Sequence, residues 1–217
     1  MAIKAFIFDL DGVIVDTAKY HYLAWKRLAD ELGFFFSEEH NERLKGVSRM
    51  RSLEILLEVG GLSFPHEEML KMADKKNNWY VDYITKMTPD EILPGVLEFL
   101  NAARQLGIKT AIGSASKNAG TILSRIGLMK YFDVLIDGNK VSKAKPDPEV
   151  FLLAAAELNV KPSECVVFED AEAGIEAALN GNMHCVGIGS EQILFKANKV
   201  IKSFEGFLPS TFLNLTN

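Results

Sequence analysis

The first strand-length run of the chain, Ala5-Phe6-Ile7-Phe8, is apolar at every position and ends on Asp9-Leu10-Asp11-Gly12-Val13. An unbroken apolar run of this length marks a strand buried on both faces, which belongs in a parallel sheet covered by helices. Two carboxylates two positions apart at the end of such a strand are costly unless a metal or ligand uses them, and strand ends are where ligands gather in open α/β sheets. Asp is also common in loops and helix caps after strands, and Asp9 and Asp11 taken alone fit that role as well.

The same kind of run recurs at Lys109 to Gly113, Val134 to Ile136, Cys165 to Phe168, Cys185 to Ile188 and Val200-Ile201, with helical patterns between. That alternation predicts an α/β fold, a doubly wound, Rossmann-like parallel sheet. One of the intervening helices is expected from Pro148 to Leu158, with Asp147 as its cap and Pro148 in its first turn. Between about Ala18 and Lys86 the pattern has helical periodicity and no strand: Trp25, Leu28, Ala29 and Leu32 make one stripe, Leu53, Leu56 and Leu57 a second, and Met69, Met72 and Ala73 a third after a helix start at Ser63-Phe64-Pro65. The expectation is a core from residues 1–16 and 87–217 with an inserted helical domain over residues 17–86. Phe34-Phe35-Phe36 reads as a small packed cluster.

At 217 residues, 48% hydrophobic and 24% charged, the chain has the make-up of a soluble globular protein with room for one sizeable core and a smaller second one. Its net charge of −5 and lack of a dense Lys/Arg run argue against a nucleic-acid partner, so an anionic ligand has to be met by a few positioned cations. No stretch reads as a membrane span, and the N-terminal run is short and broken by Asp9 and Asp11, so neither a signal peptide nor an anchor is expected and a cytoplasmic location follows. Cys165 and Cys185 fall at strand starts and are expected to be reduced core residues.

Two polar residues fall on the apolar stripes of the insert. One turn back from Trp25 is His21, and seven positions on from Met69 is Lys76, with Tyr80 beyond. His21 as a helix-start residue and Lys76 snorkelling outward are the ordinary readings; together they also allow a shared polar site. In the core, three further signals join Asp9 and Asp11 at strand ends. Ser114 follows a strand and precedes Ala115-Ser116 and a helix start near Lys117, which suits either a cap or an anion site. Lys145 lies in a polar stretch between strand and helix, and Glu169-Asp170 closes another apolar strand. Two strand ends with paired carboxylates point to a hard divalent cation, Mg²⁺ where substrate phosphate completes its shell. A carboxylate nucleophile at Asp9 beside such a cation and a lysine suits phosphoryl transfer, with Asp11 as the acid and base.

Taken in order, Asp9-Leu10-Asp11-Gly12-Val13, Ser114, Lys145 and Glu169-Asp170 resemble the four motifs of the haloacid dehalogenase-like superfamily, across almost the whole chain. The helical insert resembles that superfamily's cap. Within it, Leu44-Lys45-Gly46-Val47-Ser48-Arg49 with Ser52, the stretch Asp16-Thr17-Ala18-Lys19-Tyr20-His21, Trp25, Lys76-Asn77 and Ser114-Ala115-Ser116-Lys117-Asn118 are similar to the β-phosphoglucomutases. Arg51 and Ala171 depart from the usual pattern.

That resemblance implies an isomerase acting on a hexose phosphate, interconverting β-glucose 1-phosphate and glucose 6-phosphate through phospho-Asp9 and a 1,6-bisphosphate. A sugar-phosphate phosphatase on the same scaffold is the alternative. It implies Mg²⁺ on Asp9, the Asp11 carbonyl, Glu169 and Asp170, and a transferring phosphoryl group on Ser114, Ala115 N–H and Lys145. A second phosphate would be met by Arg49, Ser116 and Asn118, and the sugar by His21, Trp25, Lys45, Gly46, Val47, Ser48, Ser52, Lys76 and Asn77. Thr17 is the implied hinge for cap closure, and a monomer is expected because the cap must move.

Overall fold

The computed structural model describes residues 2–44 and 47–215. By Cα packing the chain divides into two compact units, Met1–Asp16 with Thr88–Asn217, and Thr17–Met87.

The first unit is built on six parallel strands: β1 (Ala5–Phe8), β2 (Lys109–Gly113), β3 (Val134–Ile136), β4 (Cys165–Glu169), β5 (His184–Ile188) and β6 (Lys199–Ile201). They lie in the order β3-β2-β1-β4-β5-β6, the doubly wound arrangement expected from the alternating pattern. β1 is buried at all four positions because it pairs with β2 on one side and β4 on the other. Its side chains alternate between two different cores. Ala5 and Ile7 join Val150, Phe151 and Ala154 of α7 (Glu149–Glu157) and Ile175 and Ala178 of α8 (Glu172–Asn180). Phe6 and Phe8 point the other way into an aromatic cluster with Phe99 of α5 (Val96–Gln105), Phe168 and Phe204; the Phe8 and Phe168 rings stack at 4.9 Å. The helix over residues 149–157 begins one residue later than its sequence pattern predicts, yet Asp147 Oδ1 still accepts from Glu149 N at 3.0 Å. Cys165 and Cys185 are free and buried.

The second unit is helical among its described residues: α1 (Ala18–Leu32), α2 (Glu38–Glu42), α3 (Arg49–Gly60) and α4 (His66–Ile84). The stripes read from periodicity supply its core, with Trp25, Leu28, Ala29, Leu53, Leu56, Leu57 and Ala73 buried. The aromatic triplet is not packed as a cluster: Phe36 is buried, whereas Phe35 is 75% exposed. Among the described residues no helix is long and apolar enough to cross a membrane.

Candidate active site

The parallel register sets the site. Phe8 lies level with Ile112 of β2 and Phe168 of β4, so Asp9, one residue on, is flanked by Gly113-Ser114 and Glu169-Asp170 at one end of the sheet. Asp9 N donates to Phe168 O at 2.9 Å, which extends the ladder and holds Asp9 at the strand edge, 6% exposed. Asp11 follows half-buried in the turn, where its backbone bridges to Val15.

Lys145 reaches this strand end from the loop before α7. Its Nζ lies 2.5 Å from Asp9 Oδ1 and 2.8 Å from Glu169 Oε2, and its side chain is 7% exposed. Glu169 Oε1 in turn accepts from Asp170 N at 3.2 Å and Ala171 N at 3.1 Å, so Ala171 contributes through its backbone. Two glycines leave room for the carboxylates. A Cβ on Gly12, whose φ is +79°, would lie 2.0 Å from Asp170 Oδ2, and one on Gly174 would lie 2.0 Å from Glu169 Oε2. Neither glycine was singled out from sequence, although Gly12 stands inside the first motif.

Burial, then repulsion from their neighbours, pushes the Glu169 carboxyl up to about 7 and that of Asp170 to about 8, against the partial relief that Lys145 provides. Burial works against the Lys145 ammonium, but Asp9 and Glu169 outweigh it and hold the amine above its ordinary range. Asp9, Glu169 and Asp170 each offer an oxygen within 4.8 Å of the others, and fully ionised these three carboxylates against one ammonium would leave two negative charges to be balanced. An all-oxygen set with that excess fits a hard divalent cation.

Ser114 is fully buried at the end of β2; its N–H donates to Ile136 O at 3.0 Å and its Oγ accepts from Ser116 N at 3.0 Å. Ser116 Oγ accepts from Asn118 N at 3.2 Å, and Gly138 N donates to Ser116 O at 3.2 Å, so residues 114–118 form a braced turn ahead of α6 (Ala119–Arg125). Ala115 is exposed at its tip.

The helical unit has its own polar cluster. Lys76 of α4 is 3% exposed, and its Nζ donates to His21 Nδ1 of α1 at 2.9 Å, with the Trp25 ring 4.4 Å and the Tyr80 ring 5.0 Å from the ammonium. Tyr80 also stacks on His21 at 4.0 Å. Burial, followed by the charges of Lys76 and Arg49, holds His21 well below its ordinary value, so the ring is neutral. With Nδ1 as acceptor, its proton sits on Nε2. Arg49 donates to Asn77 Oδ1 at 2.8 Å and lies 3.9 Å from Asp74, a partner that sequence reasoning did not identify. Ser48 is the N-cap of α3, Ser52 is buried within that helix and Val47 is 40% exposed; Lys45 and Gly46 lie outside the described residues. Arg51 turns onto its own helix, 2.7 Å from Glu54 and 3.2 Å from Glu58. Thr17, the N-cap of α1, is fully buried. Arg49 and the other helical-unit residues belong to that unit, while Ser116 and Asn118 belong to the core.

The chain is 43% identical over 201 residues to a β-phosphoglucomutase of Bacillus subtilis, covering 92% of this chain and 89% of that protein. It is 35% identical to a phosphorylated carbohydrates phosphatase of Thermotoga maritima, over 81% of this chain and 80% of the relative. Its fold is similar to the crystal structure of a β-phosphoglucomutase from Clostridium difficile, with a TM-score of 0.90, 46% identity, and coverage of 96% of this chain and 95% of the other. The family model for haloacid dehalogenase-like hydrolases matches residues 3–182. A match that runs from just before β1 to just past α8 makes this protein a member of the haloacid dehalogenase-like family.

Proposed function

We propose that the chain is a β-phosphoglucomutase, interconverting β-D-glucose 1-phosphate and glucose 6-phosphate through phospho-Asp9 and a β-glucose 1,6-bisphosphate. Asp9 attacks phosphorus through Oδ2, the oxygen that Lys145 does not hold, and the Lys145 ammonium 2.5 Å from Oδ1 offsets the charge of the incoming group. Asp11, two residues along the same turn, protonates the departing sugar oxygen and accepts the proton of the attacking hydroxyl in the return step. Mg²⁺, held by Asp9, the Asp11 carbonyl, Glu169 and Asp170, supplies a Lewis acid that neutralises phosphoryl oxygens when bound. Ser114 and the Ala115 N–H bind the transferring group.

The observation that favours a mutase over a hydrolase is the polar cluster inside the helical unit. A neutral His21 with its donor on Nε2, a buried Lys76 and an Arg49 held on Asn77 are fixed groups suited to gripping a hydroxylated, phosphorylated sugar. Arg49, with Ser116 and Asn118, is assigned the phosphate that is not reacting. Trp25, Lys45, Gly46, Val47, Ser48, Ser52, Lys76 and Asn77 are assigned to the sugar side, and Thr17 to the hinge. The reading carries with it a monomeric, cytoplasmic enzyme.

The test is a coupled assay for glucose 6-phosphate from β-glucose 1-phosphate, with Mg²⁺ and catalytic bisphosphate, run beside a free-phosphate assay on the same samples. Glucose 6-phosphate without matching phosphate release is the expected result. Free phosphate in its place, the activity that the Thermotoga relative is named for, overturns the mutase assignment.

A further inference from the structure

Lys145 has to be delivered to Asp9 and Glu169 from a loop with little burial of its own. Ser142, Lys143 and Ala144 are all exposed, and so is Pro146 on the other side. Exposed loops of this kind sample several conformations unless something ties them down, yet the lysine must meet two acceptors at 2.5 and 2.8 Å. The tie comes from Glu149, the first residue of α7. Its Oε2 accepts from Ser142 N at 2.8 Å and from Lys143 N at 2.6 Å, and the Ser142 hydroxyl donates to Oε1 at 3.0 Å and to Oε2 at 3.1 Å. Asp147 adds an ion pair to Lys143 Nζ at 3.1 Å and accepts from the Glu149 N–H. Two residues along the same helix, the Phe151 ring lies 4.8 Å from Lys145 Nζ. One helix end therefore grips the loop on the N-terminal side of the lysine and packs against the lysine's own ammonium.

We propose that Glu149 is the positioning residue for Lys145: it clamps the backbone at Ser142 and Lys143 and thereby sets the ammonium against Asp9 and Glu169 for phosphoryl transfer. The inference rests on the phosphoryl-transfer reading given above, and it holds for mutase and phosphatase alike because both load Asp9. The Lys143 N–H, foremost among its partners, also holds the Glu149 carboxyl below its usual range, as a carboxylate gripped in its charged form should be. A carboxylate in the first turn of a helix is common for dipole reasons alone. Its side chain would then face solvent or the helix's own N–H groups, whereas this one bonds a loop six and seven residues upstream.

The experiment is a double-mutant cycle read as the rate at which acetyl phosphate, with Mg²⁺, loads Asp9. Glu149→Ala should slow loading by about fivefold or more, in line with the roughly hundredfold that a 1 Å misplacement of a catalytic group can cost. In a Lys145→Ala background the same substitution should cost clearly less, since the residue being positioned is gone. Glu149→Gln, whose amide oxygen can still accept from both N–H groups, should recover most of the lost rate. An effect of Glu149→Ala below about fivefold, an undiminished effect without Lys145, or a Gln variant as slow as Ala each overturns the clamp. If Glu149→Ala does not fold, Glu149→Asp, whose carboxylate falls one methylene short of the loop, carries the same cycle. A wild-type chain that takes no phosphoryl group on Asp9 refutes the phosphoryl-transfer reading itself and the inference with it.

Discussion

Gly12 is the residue on which the carboxylate cluster turns. Its φ of +79° already excludes most side chains, and a Cβ there would occupy the place of Asp170 Oδ2. Gly12→Ala should therefore cost roughly 1–2 kcal/mol in backbone strain. It should also displace Asp170 and lower turnover by about 100-fold. Equilibrium denaturation and a Mg²⁺ titration of the variant check both parts, and a variant with unchanged metal affinity contradicts the second. Arg49 acts on a different step. It is assigned to the phosphate that is not reacting, so Arg49→Ala should reduce mutase turnover by roughly 10- to 100-fold, the worth of a charge-assisted hydrogen bond. Loading of Asp9 by acetyl phosphate should be left nearly unchanged, and comparing the two rates decides. The strand-end residues were legible because each ends a run whose apolar pattern announces a strand. Glu149 was not, since a glutamate opening a helix looks ordinary and its partners depend on how the loop doubles back. The partners of Arg51 were not legible either: two residues after Arg49 in sequence, it is drawn by Glu54 and Glu58 onto its own helix.

Helices α1 and α4 meet around a neutral histidine and a buried ammonium, which makes their packing sensitive to acid. His21 is held well below 6.5 when folded, whereas in the unfolded chain it takes up a proton near that value. At this site the unfolded state thus binds more protons than the native one below about pH 6.5, and the contribution of His21 to stability falls as pH drops. Between pH 7.5 and 5.5 the melting temperature of the wild type should fall relative to that of His21→Gln, a difference in which the opposing protonation of Glu169 and Asp170 cancels; parallel curves contradict it. The helical stripes were readable because 3.6-residue periodicity places His21 and Lys76 on inward faces. That the two would bond at 2.9 Å was not readable, because it depends on the register of one helix against another. The five-residue α2 went unpredicted for want of length, and two strands were read a residue short at their starts, leaving out His184 from β5 and Lys199 from β6.

Among the described residues of the whole molecule, the carboxylates that could hold a metal ion, Asp9, Glu169 and Asp170, all belong to one of the two compact units. Glu169 and Asp170 titrate near 7 and 8 when folded, above their ordinary 4.5 and 3.8, so the native state holds extra protons in between and loses stability as pH rises through that window. Mg²⁺ should cancel this penalty, so the rise in melting temperature that it produces should grow from pH 5.5 to pH 8. Hydrogen exchange should show the added protection in β1 and β4 and not in α4. Uniform protection of both units contradicts that partition. The chain order of the sheet has a consequence for biosynthesis. β1 is made first but lies in the middle, and its neighbours β2 and β4 begin only at Lys109 and Cys165. At about 5–20 residues per second, a ribosome needs roughly 8–30 s after β1 to supply both partners. The helices of residues 17–87, whose contacts are local, can fold during that interval. Meanwhile β1, an apolar tetrapeptide that pairs on both sides in the finished sheet, stays on the nascent chain without its strand partners.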